Sequence, residues 1–261
     1  MILILPLLMS LSQPEAPSLT GFPELSSPAP VVEPLVQDPE ERPVPYWEGS
    51  VSLGANWSGG NTKTDGVNFT GNAARRGEND RVTLGAVYVY SKNRADDVVN
   101  EDRYAAKAQY DYFLSEKTYA LAQTSYDVDV VADLRSRVTA GAGMGRQFRE
   151  DETLKLNGEA GLTWKDEEYP HGQGGDDVAA RLAYNVTWYP SKAWEFSQST
   201  IVLPVIDDVS DVYLWVDTRA KASLTESMFG QLQYLLEHDE TPAAGKDMTD
   251  HRVLLSVGWK F

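Results

Sequence analysis

Period-two alternation governs the chain from Tyr46 to Phe261. In the last segment Val253, Leu255, Val257, Trp259 and Phe261 share one face, while Arg252, Ser256, Gly258 and Lys260 share the other, with Leu254 the exception. Leu154, Leu156, Ala160, Leu162 and Trp164 oppose Lys155, Asn157, Glu159, Thr163 and Lys165 in the same way. Val178 to Trp188 and Val212 to Lys221 repeat the pattern. A helix would scatter these residues around its axis, whereas a strand sorts them onto two faces. No apolar run in the chain reaches the roughly 18 residues that a membrane helix needs. If a bilayer is the solvent, the remaining solution is a closed barrel, whose strands satisfy their backbone groups on each other.

Twelve such segments are expected, near residues 46–57, 65–75, 80–91, 102–113, 117–127, 135–148, 152–165, 177–189, 193–203, 211–223, 227–238 and 250–261. Ten or so residues tilted near 40° cover the roughly 25 Å apolar band of an outer membrane, and strands of soluble domains are usually about half that length. The connections alternate in kind. Arg76-Gly77-Glu78-Asn79, Ser115-Glu116-Lys117, Arg149-Glu150-Asp151, Pro190-Ser191-Lys192 and Thr225-Glu226-Ser227 are tight. Residues 58–64, 92–101, 128–134, 166–176, 204–210 and 239–249 make longer connections. Short turns on one side and long loops on the other mark a membrane barrel with its turns in the periplasm. Tyr112-Phe113-Leu114-Ser115, Trp188-Tyr189-Pro190-Ser191 and Ala222-Ser223-Leu224-Thr225 form a weak repeat of two-strand period, as stacked hairpins would.

Upstream the composition changes. Residues 1–12 read as a secretory apolar region, with Ser10 and Ser12 in a small-x-small cleavage pattern, although no Lys or Arg precedes it. Residues 13–45 hold nine of the fourteen prolines together with Glu15, Glu24, Glu33, Asp38, Glu40 and Glu41. That is a solvated, polyproline-like tether. The barrel is therefore expected over 46–261. The absence of cysteine excludes disulfides, thiolate metal sites and a cysteine nucleophile. A net charge of −16 argues against nucleic acid, which needs a positive face.

Alternation alone does not say which face is inside. Three features favour an outward apolar face. The polar face carries Lys107, Asp111, Lys155, Glu159, Lys165, Arg181, Asp217, Arg219, Lys221 and Lys260. Ion pairs and water can satisfy these charges in a lumen, while lipid would charge about 2–4 kcal/mol for each Arg or Lys near the midplane. Aromatic residues also gather at the strand ends. Trp47, Tyr110, Tyr112, Phe148, Trp188, Trp194, Phe196, Trp259 and Phe261 stand near the turns. Trp57, Tyr88, Tyr90, Tyr104, Tyr126 and Trp164 stand near the long loops. Two aromatic girdles are what two interfaces produce. Finally, acids crowd the long-loop side, Asp127, Asp129, Glu167, Glu237 and Asp239 among them, against few bases: Lys63, Lys92, Arg94, Arg103, Lys165 and Lys246.

The residues Trp47-Glu48-Gly49-Ser50-Val51-Ser52-Leu53-Gly54, the following Ser58-Gly59-Gly60-Asn61-Thr62 and the terminal Val257-Gly258-Trp259-Lys260-Phe261 resemble the salt-induced outer-membrane proteins, domain of unknown function family 481. The Gly-Asn-Thr loop is the most specific piece. The resemblance covers about residues 46–261 and implies a twelve-stranded outer-membrane barrel without an agreed activity, and hence without catalytic residues to carry over. Phe261 also resembles the C-terminal aromatic signal read by the outer-membrane assembly machinery. The expected partners are that machinery, outer-membrane lipid and lipopolysaccharide, with a monomeric barrel and no cofactor.

Little chemistry is visible. His171, His238 and His251 sit at or near the expected outer rim, without a nucleophile elbow or triad spacing. The doublets Asp96-Asp97, Asp176-Asp177 and Asp207-Asp208 are weak candidates for Ca²⁺ or Mg²⁺, bridging to lipopolysaccharide phosphates. Gly141, Gly143 and Gly145 share the inward face, where glycine leaves room for an opposing side chain or marks a bend. The lumen is then either a narrow charged pore or a plugged, salt-bridged interior. The leading expectation is an outer-membrane barrel of structural or narrow-pore kind, serving small solutes or envelope stress. A soluble secreted barrel holding an apolar ligand and a rim-active outer-membrane hydrolase are the alternatives.

Overall fold

The computed structural model describes residues 44–57, 64–170 and 174–261. The expected leader, most of the tether (residues 13–43), the Gly-Asn-Thr loop and His171 lie outside them, as does the side chain of Trp57. The strands are β1 (Tyr46–Trp57), β2 (Thr64–Arg76), β3 (Asp80–Asn93), β4 (Val99–Phe113), β5 (Thr118–Asp129), β6 (Leu134–Glu150), β7 (Leu154–Glu168), β8 (Gly174–Ser191), β9 (Trp194–Pro204), β10 (Val212–Ser223), β11 (Met228–Asp239) and β12 (Thr249–Lys260). Each pairs antiparallel with its sequence neighbours, and β1 pairs with β12 to close the barrel. No helix among the described residues is long and apolar enough to cross a membrane.

Side chains sort as the alternation requires. On β12, Arg252, Leu254 and Ser256 are buried, while Val253 and Leu255 are 68 % and 70 % exposed. Leu162, Leu182 and Leu232 likewise stand on the outside, and Asp111, Glu159, Arg181 and Asp217 on the inside. A soluble barrel would reverse this sorting, because burying apolar surface is what folds it. Its alternative therefore fails on the direction of the side chains.

Several connections differ from expectation. The β7–β8 hairpin is longer, and its ladder runs through Asp166↔Asp176, Glu167↔Gly175 and Glu168↔Gly174. Acidic composition reads as loop, yet Glu167 stays in the sheet because Arg137 and Lys165 neutralise it. Pro190 lies within β8, at a register shift between Trp188 and Ser191. A bulge tolerates the donor that proline lacks. The loop end also holds Arg135, Arg137 and Arg252 beyond the bases counted from sequence, so its charge is more balanced than expected.

The turns are closed by side chains. In the β6–β7 turn, Asp151 accepts from the hydroxyl and amide of Thr153, the amide of Leu154 and the Arg149 guanidinium. These bonds hold its carboxyl below the usual range, the Thr153 hydroxyl foremost. The contact therefore persists above the ordinary carboxylate range and is lost only as pH falls below it.

Glycines mark close approaches. A Cβ at Gly143 would lie 2.4 Å from the Ala160 carbonyl oxygen and 2.8 Å from Gly161 Cα. Gly143→Val is expected to prise β6 from β7 and cost about 1–3 kcal/mol, the usual penalty of overpacking. Urea titration of the refolded barrel checks this, with Ala142→Val on the lipid side as the near-neutral comparison. At the closure, the Phe261 ring lies over Gly49, within 2.6 Å of where a Cβ would sit, and the two residues exchange both backbone bonds at 3.0 Å.

Candidate functional site

The chemistry of this molecule is concentrated in the lumen near the long loops. Glu237, on the inner face of β11, is the hub. Arg103 of β4 grips both of its oxygens, one at 3.1 Å from Nη2 to Oε1. Arg137 of β6 donates to Oε1 at 3.4 Å, and Arg252 of β12 to Oε2 at 3.2 Å. The Tyr213 hydroxyl of β10 donates to Oε1 at 2.8 Å. Strands β4 and β6 lie far around the barrel from β11, so Arg103 and Arg137 reach across the lumen rather than along its wall.

Each arginine also has other carboxylates, some on neighbouring strands and some across the lumen. Asp127 takes Arg103 at 3.1 Å, Glu167 and Asp239 take Arg137, and Glu101 and Asp129 take Arg252 at 2.8 and 2.6 Å. Lys165 pairs with Glu167 at 3.1 Å, and the Arg137 guanidinium lies 4.2 Å from the Tyr213 ring centroid. Buried charges survive only when paired and hydrogen-bonded, and this network meets both conditions. Arg103 and Arg137 are each 3 % exposed, so the two guanidinium groups are packed within the network.

A second layer covers the first. The β11–β12 loop folds over the mouth and is pinned to the β5–β6 loop on the far side. Lys246 Nζ pairs with Asp133 at 2.7 Å and donates to the Val131 carbonyl at 2.9 Å. Ala243 is buried with Leu134 and Tyr169.

Below the crossbar, the residues expected in the lumen divide into wall networks. Asp111 accepts from Arg81 at 2.8 Å and Gln109 at 2.9 Å. Glu159 accepts from Tyr119 at 2.8 Å and Gln109 at 2.9 Å, and pairs with Arg181 at 2.8 Å. Asp217 takes Arg219 and, at 3.0 Å, Gln233. Lys221 and Lys260 share Glu195 at 3.0 and 4.0 Å. Lys155 stands on the inner face beside Thr187. Lys107 differs from all of these: it is exposed although it faces inward, so water-accessible space surrounds it. Its Nζ lies 4.6 Å from the ring centroid of Trp215, on the opposite wall. No ion-pair partner of Lys107 occurs among the described residues.

The aromatic residues named for the girdles stand outside where their side chains are described: Trp47, Tyr88, Tyr104, Tyr110, Tyr112, Tyr126, Trp164, Trp188, Trp194, Trp259 and Phe261 are all more than a third exposed, and Tyr90 is half-buried. Tyr213 and Trp215 face the lumen instead, which the girdle reading overlooked.

The acidic doublets do not assemble. Asp176 and Asp177 are consecutive in β8 and point to opposite faces, Asp176 accepting from the Trp164 indole at 3.3 Å. Asp97 pairs with Lys92 at 2.8 Å, and Asp96 accepts from the Val98 amide at 3.2 Å. Asp208 accepts from Ser210, which holds its carboxyl below the usual range, and Asp207 is exposed. Among the described residues no group of three or more His, Asp or Glu is arranged to hold a metal ion. His238 bridges Thr249 at 2.7 Å and Glu240 at 3.0 Å on the outer face. Glu240 there is 46 % exposed, a weak support for a catalytic imidazole. His251 bonds the Tyr234 hydroxyl at 2.7 Å.

The crossbar was only partly visible in the sequence. Alternation puts Arg103 on the face of Lys107 and Asp111, and Arg252 on that of Lys260, but nothing in the spacing says that these side chains meet Glu237.

Among solved structures the fold is similar to the NanC porin, with a TM-score of 0.50 and 12 % identity over 81 % of this chain and 100 % of that one. It is also similar to the translocator domain of the autotransporter NalP from Neisseria meningitidis, with a TM-score of 0.47 and 15 % identity over 82 % and 88 %. By sequence it is 22 % identical over 226 residues to the uncharacterized protein YdiY of Escherichia coli K12, covering 86 % of this chain and 87 % of that protein. Residues 51–261 match the family described as "Protein of unknown function, DUF481", and the chain belongs to that family.

Proposed function

We propose that this protein is an integral outer-membrane barrel that acts as a gated narrow pore, shut at rest by the Arg103–Arg137–Arg252–Glu237 crossbar. The crossbar carries the reading: it spans the lumen, its arginines are buried, and water-accessible space lies beneath it at Lys107. Ionic locks suit a gate, because the same charges can exchange partners when a loop or an ion displaces one of them. Exposed leucines around the wall, with aromatic residues at both ends, support a bilayer as the solvent. The short turns and both chain termini of the barrel then face the periplasm, as is usual for such barrels. The acidic loops face lipopolysaccharide. Phe261, 65 % exposed at the closing seam, is available to the assembly machinery. The barrel functions as a monomer.

Planar-bilayer recording tests the gate. The wild-type chain is expected to be silent at neutral pH. Arg103→Ala with Arg137→Ala is expected to give discrete conductance steps. Continuous wild-type steps would show that the crossbar does not seal. Silence of both proteins would mean a plugged, structural barrel.

A further inference from the structure

The wall of the barrel is not equally closed all round. The β1–β2 ladder has twelve register pairs and the β11–β12 ladder eleven, but β1 and β12 pair only through Ser50↔Lys260, Val51↔Trp259, Ser52↔Gly258 and Leu53↔Val257. Gly49 and Phe261 extend this by one pair at the turn end. In that register Ala55 should exchange both backbone bonds with Leu255, as Leu53 does with Val257. Instead the pairing stops at Leu53↔Val257, although the Leu255 carbonyl still lies against Gly54, where a Cβ would meet it at 2.1 Å, as the Ala160 carbonyl lies against Gly143 in the paired β6–β7 ladder. The Leu255 acceptor is satisfied by the Asn68 side chain of β2, at 3.5 Å. Asn68 Oδ1 and Ser256 Oγ are buried beside it without partners, two costs that a continuous ladder does not impose.

The inside of this gap is apolar. Val89, Leu235 and Leu254 form a buried cluster, with Val87 and Trp215 packed against it. They lie directly under the arginine crossbar: Val89 pairs with Arg103, and Leu235 with Arg252. Trp215 joins the cluster to the Lys107 ammonium. The outside of the gap is apolar too, with Val253 and Leu255 fully in the lipid-facing belt. A cation without a carboxylate partner, an apolar patch and a weak seam into lipid thus stand together beneath the crossbar.

We propose that the β1–β12 seam above Leu53 is a lateral door, through which an anionic single-chain amphiphile passes between the lumen and the bilayer. Lys107 holds the head group, while the half-buried Val87 and Trp215, packed on the Val89–Leu235–Leu254 cluster, hold the chain. The energetics suit a door: opening the seam breaks few backbone bonds, and the chain slides from one apolar surface to another. The proposal rests on the membrane reading; whether the loop end is sealed does not enter it.

The test uses the full chain in non-ionic detergent with 5-doxyl stearate as the probe. Wild type is expected to immobilise the spin label, and Lys107→Gln to weaken binding about tenfold. Ala55→Cys with Leu255→Cys, joined by a short reversible bis-thiol bridge, is expected to slow uptake at least tenfold and to recover on reduction. The chain has no native cysteine to interfere. Leu53→Cys with Val257→Cys, in the paired half of the seam, should change little. In parallel, the amides of Val253 and Leu255 should exchange with deuterium faster than those of Val257 and Trp259. No immobilised label in the wild type, uptake unaffected by the bridge, or equal protection of the two amide pairs would each overturn the door. None of these outcomes bears on the crossbar seal, which stands or falls on conductance.

Discussion

Glu237→Leu is expected to destabilise the barrel by about 3 kcal/mol, the lower end of what removing one member of a buried charge network costs. The change strips one carboxylate from three guanidinium groups and the acceptor from the Tyr213 hydroxyl. It does not leave any arginine bare, because Asp127, Glu167, Asp239, Glu101 and Asp129 remain, and this sets the lower end. Urea titration of the refolded protein in lipid bilayers measures it. Adding Arg103→Met to Glu237→Leu should recover part of the loss, since it removes a guanidinium left with Asp127 alone. That non-additivity separates a charge network from simple packing. A Glu237→Leu effect below about 0.5 kcal/mol would mean that the arginines are adequately held by their other carboxylates, and that the contacts to Glu237 contribute little.

The barrel was legible because its signal is repeated many times. Each strand of a membrane barrel must alternate, so an isolated violation such as Leu254 or Pro190 does not obscure the period. The violations carried the additional information. Leu254 breaks the last strand's pattern because it belongs to the apolar patch inside the lumen, beside Val89 and Leu235. Glu167 was read as loop because its neighbours are acidic, and the arginine that keeps it in the sheet lies thirty residues earlier in the chain. Trp215 and Tyr213 have the composition of girdle residues, but alternation along β10 puts them on the inner face of Asp217 and Arg219. The crossbar was hidden for a related reason. Alternation reports the face on which a side chain stands, but not which residue on the opposite wall it meets. That depends on the stagger of strands around the closed sheet. The weak seam likewise leaves no mark in either strand, because β1 and β12 both alternate well and pair fully with their other neighbours.

Leu182 provides the sharpest test of what surrounds the barrel. It lies near the middle of β8, 54 % exposed, between Ala160 of β7 and Val202 of β9. Leu182→Lys is expected to cost about 2–4 kcal/mol in a bilayer, the penalty for a cation at the midplane. Leu182→Ala is expected to cost much less than the roughly 2–5 kcal/mol of a leucine truncated in a protein core, because acyl chains move into the space and no cavity remains. The pair of variants distinguishes solvents that a single variant would confuse. In a protein core both substitutions are severe, and on a water-exposed surface both are mild. Only a lipid-facing site makes the charge costly and the truncation cheap. Urea unfolding of both variants in the same vesicles gives the two values together, and two mild effects would remove the bilayer from the account of this fold.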